Sequence, residues 1–368
     1  MKFGLITFKK TENIGDDIQS YSAIKFLPHI DYYIEREKLD LFVPSKKEKV
    51  VTLMNGWFLH SKKNAFPSPY IYPIYVSTHV SSYKSQGIKT EYFTNDFVKY
   101  LNNYGPIGCR DTNTQNILSK YNVDNYLSGC LTLTLDKRNV KEEKKICLVD
   151  VDKKIVNKVK DLFGKEYKVI TRTHTLDKKI NSKLSWDERF KNVESLLDDY
   201  QSSKYVITSR LHCALPCLAM GVNVMLIYDE NKKYTKDRLS DYAKILNHTS
   251  TNEFLDNAAE IIKKGFKNSK EYKKIRNELL NKVPILINEA NPSTDNLPEI
   301  GNFKNNYVKF KKNYDKLFDT ATDNLSKNKN ELSEAKFAVE YWKKEFYILL
   351  DKYDTLKKEY NDLYNKEK

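Results

Sequence analysis

Short apolar runs separated by stretches of helical spacing set the rhythm of the chain. "KFGLITF" comes first, and Ile18, Tyr21 and Ile24 then recur on one face of a helix predicted over Asp17–Phe26. "KVVTLMNGW", "YIYPIYVST" and "GPIGCRD" follow as further strand-like runs. Strands that alternate with helices predict a parallel sheet with βαβ crossovers, and the pattern holds to about Thr134.

A charged bridge, Asp136–Lys145, reads as an interdomain linker, after which the rhythm restarts more cleanly. "ICLVDV", "YKVITRTH", "KYVITS" and "NVMLIY" are continuous β-branched runs of the kind buried on both faces of a sheet. Between them, Ile155–Phe163, Trp186–Tyr200 and Cys213–Met220 carry helical spacing, which predicts a doubly wound α/β domain. Asn252–Glu289 reads as largely helical, and "NPSTDNLPEIGN" as a turn-rich hinge.

Past Gly301 the chain has no Pro or Gly, and apolar residues recur at alternating spacings of three and four from Tyr314 to Leu363. Asn328 is the one polar interruption of this heptad seam. About seven heptads make a helix of roughly 75 Å at 1.5 Å per residue, and such a seam must be buried against something. A coiled coil for self-association is the plainest occupant. A membrane surface is the sharper one, because interfacial helices use aromatics and lysines. The expected organisation is therefore a first domain over 1–135, a second over 136–290, a hinge over 291–302 and a helical tail over 303–368.

Composition refines this picture. With 368 residues, 40% hydrophobic and 12% aromatic, the chain can fill real cores. Five cysteines without a pairing rhythm read as reduced core thiols. The N-terminal apolar run is too short for a signal-peptide core, and Pro216, Gly221 and Asn223 interrupt the longest apolar stretch well short of a membrane span. A cytoplasmic protein is expected, with peripheral contact at the inner face of the membrane open through the tail. The net charge is +14; the segment 301–368 holds 15 Lys against 12 Asp plus Glu, or +3, leaving +11 on the body. That excess suits an anionic partner, but it is thinly spread lysine without an arginine-rich or Lys/aromatic module, so no nucleic-acid partner is expected.

Candidate chemistry concentrates where strands end. In "ITSRLHC", a strand closes at Thr208, Ser209 is the expected turn and helix cap, and Arg210 and His212 open a helix. Anions bind at the carboxyl ends of strands in open α/β sheets and at helix N-termini. Arginine adds a planar fork for phosphate or carboxylate, and histidine a proton donor. The plainer alternative pairs Arg210 with a core carboxylate. "VITRTH" ends another strand with Arg172 and His174. "GPIGCRD" places Arg110 after a third, where a surface ion pair with Asp111 is the plainer reading. In "NIGDDIQS", Gly15 allows close backbone approach, and Asp16 or Asp17 can cap a helix or receive a substrate hydroxyl. No glycine-rich dinucleotide fingerprint or Walker loop is present, and His212, Cys213 and Cys217 lack a second pair at zinc spacing, so neither metal nor cofactor is expected.

These segments resemble the polysaccharide pyruvyl transferase family. The likeness rests on "TENIGDDIQSYSAIKFLPHID", "GPIGCRDTNTQNIL", "SGCLTLTL" and "RFKNVESLLDDYQSSKYVITSRLHCALPCLAMGVNVM", spread over about residues 1–290, and excludes the tail. It implies a GT-B-like pair of Rossmann-like domains that moves the pyruvate unit of phosphoenolpyruvate onto a sugar, forming a ketal and releasing phosphate. By resemblance Arg210, Leu211 and His212 hold phosphoenolpyruvate, joined by His174 and Arg110, while Gly15, Asp16 and Asp17 lie on the acceptor side. The acceptor would be a surface or capsular saccharide or its lipid-linked precursor, with a homo-oligomer formed through 303–368. Two other readings stay open: a GT-B glycosyltransferase using a nucleotide sugar, and a scaffold protein acting through its coiled coil.

Overall fold

The computed structural model describes residues 1–59, 66–81, 93, 95–228, 239, 241–295 and 297–300. The predicted heptad tail lies outside the described residues.

Period-two alternation decides the first strand, β1 (Lys2–Thr7): Phe3 and Leu5 enter one core while Ile6 enters another across the sheet. β1 lies between β2 (Tyr32–Glu35) and β3 (Val50–Leu53), and β5 (Ile71–Ile74) adds to β3, all parallel. A second parallel sheet runs in the order β4 (Gly56–Phe58), β6 (Thr78–Val80), β7 (Ile107–Cys109), β8 (Asn125–Leu127). Two of its strands continue strands of the first sheet. "KVVTLMNGW" bends between β3 and β4, and "YIYPIYVST" bends between β5 and β6, where Ser77 takes φ 57°. The helices of this half are α1 (Ile14–Ile24), α2 (Asn95–Asn103) and α3 (Thr112–Lys120).

The second half follows its predicted rhythm closely: β9 (Glu143–Val149), α4 (Lys153–Phe163), β10 (Lys168–Arg172), a short α5 (Lys178–Asn181), α6 (Trp186–Gln201), β11 (Ser203–Thr208), α7 (Leu211–Met220), β12 (Val224–Ile227) and β13 (Asn247–Thr249). The strands form one parallel sheet in the order β10-β9-β11-β12-β13. The last residues of the expected linker belong to β9, because the Lys145 stem is buried and its Nζ meets Ser202 Oγ at 2.5 Å. α7 is buried on nearly every face, as its almost unbroken apolar sequence requires. α8 (Thr251–Lys264) covers α4, and the chain breaks at Gly265 before α9 (Tyr272–Asn288).

Two helices tie the halves together. Ile14 and Ile18 of α1 share a core with Leu211, Ala214 and Leu218 of α7, and Leu279, Val283 and Ile287 of α9 share another with Phe3, Leu5, Val51 and Leu53 of the first sheet. Residues 1–298 accordingly form one compact unit.

Candidate active site

The order β10-β9-β11-β12-β13 is the 2-1-3-4-5 arrangement of a doubly wound sheet. Crossovers leave β9 on one side and β11 on the other, so the carboxyl ends of these two strands flank a crevice where ligands bind. Asp150 follows β9 with φ 49°, a left-handed conformation uncommon outside glycine, and Ser209 and Arg210 follow β11. The two ends are stitched: Ser209 Oγ donates to Asp150 O at 2.6 Å, and Arg210 Nε donates to Asp150 Oδ2 at 2.7 Å. The same oxygen accepts the His174 N–H at 2.9 Å. Burial alone would raise the Asp150 carboxyl, but hydrogen bonds from Thr173, His174 and Arg210 outweigh it and hold the group below the usual carboxylate range.

Ser209 is therefore not the helix cap. Arg210 occupies that position, with its own N–H on Thr208 Oγ1 at 3.0 Å, because the Ser209 hydroxyl is taken by the β9 end. The Arg210 side chain is 42% exposed, and among the described residues Asp150 is the partner of Nε alone, which leaves the two terminal nitrogens for a ligand. The carboxylate pairing anticipated as the alternative thus exists, yet it orients the fork rather than consuming it.

His212, in the first turn of α7, lies against α1. A Cβ placed on Gly15 would sit 3.1 Å from His212 Cβ and 3.2 Å from Nδ1, so close approach requires glycine there for space. The N-cap of α1 is Asn13, whose side chain accepts the Gly15 N–H at 3.0 Å; neither Asp16 nor Asp17 caps, since the helix starts earlier than its apolar spacing indicates. Residues 12–14 run beside 174–176, with Ile14 N donating to His174 O at 2.9 Å and Leu176 N to Glu12 O at 2.8 Å.

One turn further along α1, about 6 Å at 1.5 Å per residue, Gln19 presents its amide to both charges of the first half. Gln19 Oε1 accepts Arg110 Nη1 at 3.3 Å, and Gln19 Nε2 donates to Asp16 Oδ1 at 3.3 Å. His212 and Arg110 thus reach the same helix face one turn apart. Arg110 is 2% exposed, which overturns the surface ion pair, and its Nε and Nη2 have no hydrogen-bond partner among the described residues. Asp111 Oδ2 stands 3.6 Å from Arg110 Nε but is committed to His79 Nδ1 at 2.6 Å, while Oδ1 caps α3 through Thr114 N at 2.9 Å. Burial pushes the Asp111 carboxyl up, but the His79 and Arg110 charges and these hydrogen bonds prevail and bring it down to about 2.

Two expected site residues are placed differently. Asp17 points away from this face into a buried ion pair with Arg189 of α6, Nη2 at 2.5 Å and Nε at 3.1 Å, and burial raises its carboxyl to about 6 against the Arg189 attraction. The His174 ring is buried beside Tyr200, its Nε2 2.8 Å from the phenol oxygen, so it is the His174 main chain that meets Asp150 and Ile14. Leu211 is buried in the core beneath Arg210. Arg172 is held by Asp199 at 2.6 Å.

The family model for polysaccharide pyruvyl transferase matches residues 13–231. The chain belongs to that family. The matched span starts at the Asn13 cap, runs through Arg110, Asp150 and His174, and takes in Arg210 and His212, so every element of the site falls inside it. Transfer of pyruvyl groups to polysaccharide, in general terms, is the activity of this family. Among solved structures, an uncharacterised protein of Klebsiella pneumoniae subsp. pneumoniae NTUH-K2044 is similar, with TM-score 0.41 and 11% identity, over 68% of this chain and 93% of its own. No curated protein matches the chain.

Among the described residues no three His, Cys, Asp or Glu side chains converge as a metal site, and all five cysteines are buried free thiols. No described helix is long and apolar enough to cross a membrane. Asp150, Gln19 and His79 escaped sequence reading because each acts across 60, 91 or 32 residues of separation, and only the "VDVD" at a strand end hinted at one of them.

Proposed function

We propose that this pyruvyl transferase takes phosphoenolpyruvate as donor and moves its pyruvate unit onto two hydroxyls of a saccharide, with the two halves serving as the paired GT-B-like domains. The observation that carries the reading is the buried Arg110 guanidinium, whose Nε and Nη2 have no hydrogen-bond partner among the described residues and whose neighbouring carboxylate, Asp111, is committed to His79. A buried, underused cation is costly unless a ligand anion completes it. Phosphoenolpyruvate has a carboxylate and a phosphate on one carbon framework and asks for two such clamps. Arg110 and the Arg210 fork supply them in this reading, with His212 and the Leu211 backbone at the start of α7. In this reading His174 supports the donor through its main chain.

His212 then protonates the methylene carbon of the donor, and a saccharide hydroxyl attacks the adjacent carbon as it gains oxocarbenium character. Asp16, which accepts Gln19 Nε2 on one oxygen and the Thr11 hydroxyl on the other, receives the hydroxyl proton. The second hydroxyl then attacks the same carbon and closes the ketal, its proton passing to the His212 ring left neutral by the first step, while phosphate leaves with its bonding electron pair. No metal or other cofactor enters the scheme. Calorimetry with phosphoenolpyruvate beside a panel of nucleotide sugars tests it: saturable binding of phosphoenolpyruvate alone, lost in Arg110→Met and weakened in Arg210→Lys, is expected. Binding of a nucleotide sugar instead would falsify the donor assignment.

A further inference from the structure

A cavity of about 280 Å³ opens beside the catalytic crevice, at the carboxyl ends of β9 and β10 and under the first turns of α4. Its floor is aliphatic, made by Leu148, Val151 and Val156; its rim carries Asp150, Thr171, Arg172 and Thr173. Small-molecule pockets commonly span roughly 300–1,000 Å³, so this one has room for about one ring. We propose that it is a subsite for a single pyranose ring of the saccharide acceptor, next to the ring that carries the reacting hydroxyls. The inference rests on the polysaccharide-directed activity of the family and extends it to a second sugar of the chain.

The chemistry of the lining selects the ligand. A pyranose has an apolar C–H face and a rim of hydroxyls that both donate and accept, which is the arrangement found here. An ionised carboxylate offers about four lone-pair sites, and Asp150 uses three, for Arg210, the His174 N–H and Thr173, leaving one for a sugar hydroxyl. Arg172 spends Nε on Asp199 and Nη1 on Thr171 O, leaving Nη2 as a donor at the rim. A phosphate fits poorly, since Asp150 repels it and Asp199 already neutralises Arg172. A nucleobase fits poorly too, because among the described residues no aromatic ring lines the cavity.

Asp150 gives the subsite a second property. It is the residue that aims Arg210, so a sugar hydroxyl bound to it joins the same hydrogen-bond cluster as the donor clamp. Occupancy by the neighbouring ring and correct placement of the Arg210 fork are then coupled, favouring an oligosaccharide over a free monosaccharide as acceptor.

The test is saturation-transfer NMR on the full chain with methyl glycosides of common hexoses and N-acetylhexosamines as probes, and uridine and inorganic phosphate as controls. Val156→Phe fills the cavity from α4, and Thr173→Val removes a rim hydroxyl without touching the core. Transfer to ring C–H protons of at least one glycoside is expected, reduced tenfold or more in Val156→Phe and several-fold in Thr173→Val, with phosphoenolpyruvate binding unchanged in Val156→Phe. No glycoside binding to the unaltered chain, equal binding in both variants, or preference for uridine overturns the subsite. Should glycosides bind as expected while phosphoenolpyruvate does not, the donor assignment falls and the subsite stands, so the two failures are distinct.

Discussion

Asp111 faces both His79 and Arg110 with one carboxylate, and its ionisation shows in stability. Its folded pKa of about 2 lies below the ordinary 3.8, so its contribution is present above about pH 4 and is lost as pH falls towards 2. A shift of that size is worth about 2 kcal/mol. Urea unfolding at pH 4 and near pH 2 is expected to show this loss in the unaltered chain and a flatter profile in Asp111→Asn. Gly15 offers a complementary test. An added methyl meets Asn13 Oδ1 at 3.0 Å and His212 at 3.1 Å, so Gly15→Ala has to move the histidine or the cap by a few tenths of an ångström. Transfer activity is expected to fall at least tenfold with a melting midpoint changed by only a few degrees; an unchanged rate would disconnect this contact from the chemistry. At this scale the site was half legible: Arg210 and His212 stand out as polar residues at an apolar join. Gln19 does not, because an amide inside a helix carries no signal until Arg110, 91 positions away, is seen against it.

Elements of the second half were easy to read because the central strands β9, β11 and β12 carry buried apolar runs and the crossover helices have their own apolar stripes; β10, expected to be buried on both faces, is an edge strand with Thr171 and Arg172 exposed. The first half was harder. Its strands bend in mid-run, and the bend after β5 places Ser77 at φ 57°, a conformation that the residue type does not announce. The start of α1 was also hidden, since Asn13, Asp16 and Asp17 are all capping types and only the fold shows which one caps. What holds α1, α6 and the end of β1 together is Arg189, which donates to Asp17, to Phe8 O at 2.8 Å and to Lys9 O at 3.1 Å from a fully buried position. Arg189→Met strands the Asp17 charge and is expected to cost about 3–5 kcal/mol in urea unfolding. Adding Asp17→Asn removes the stranded charge and should recover part of that loss. A double variant no more stable than the single would show that the carbonyl contacts, not the ion pair, dominate.

On the scale of the whole molecule, residues 1–298 are self-sufficient, with Leu297 buried and the Pro298 carbonyl accepting Tyr70 Oη at 2.6 Å. A chain ending at Ile300 is expected to melt cooperatively within a few degrees of the full chain while losing the self-association read from the heptads, a difference that light scattering measures directly. The return of α9 onto the first sheet has a consequence for biosynthesis. β1 precedes the rest of its sheet in the chain, and the core of Phe3 and Leu5 combines nearby Ala23 and Leu27 with Leu279, Val283 and Ile287 from the far end of the body. Until those last residues emerge, the strands of this sheet wait with an apolar face only partly covered, the condition in which nascent chains aggregate or engage chaperones. The ribosome must nearly finish the body before that core is complete.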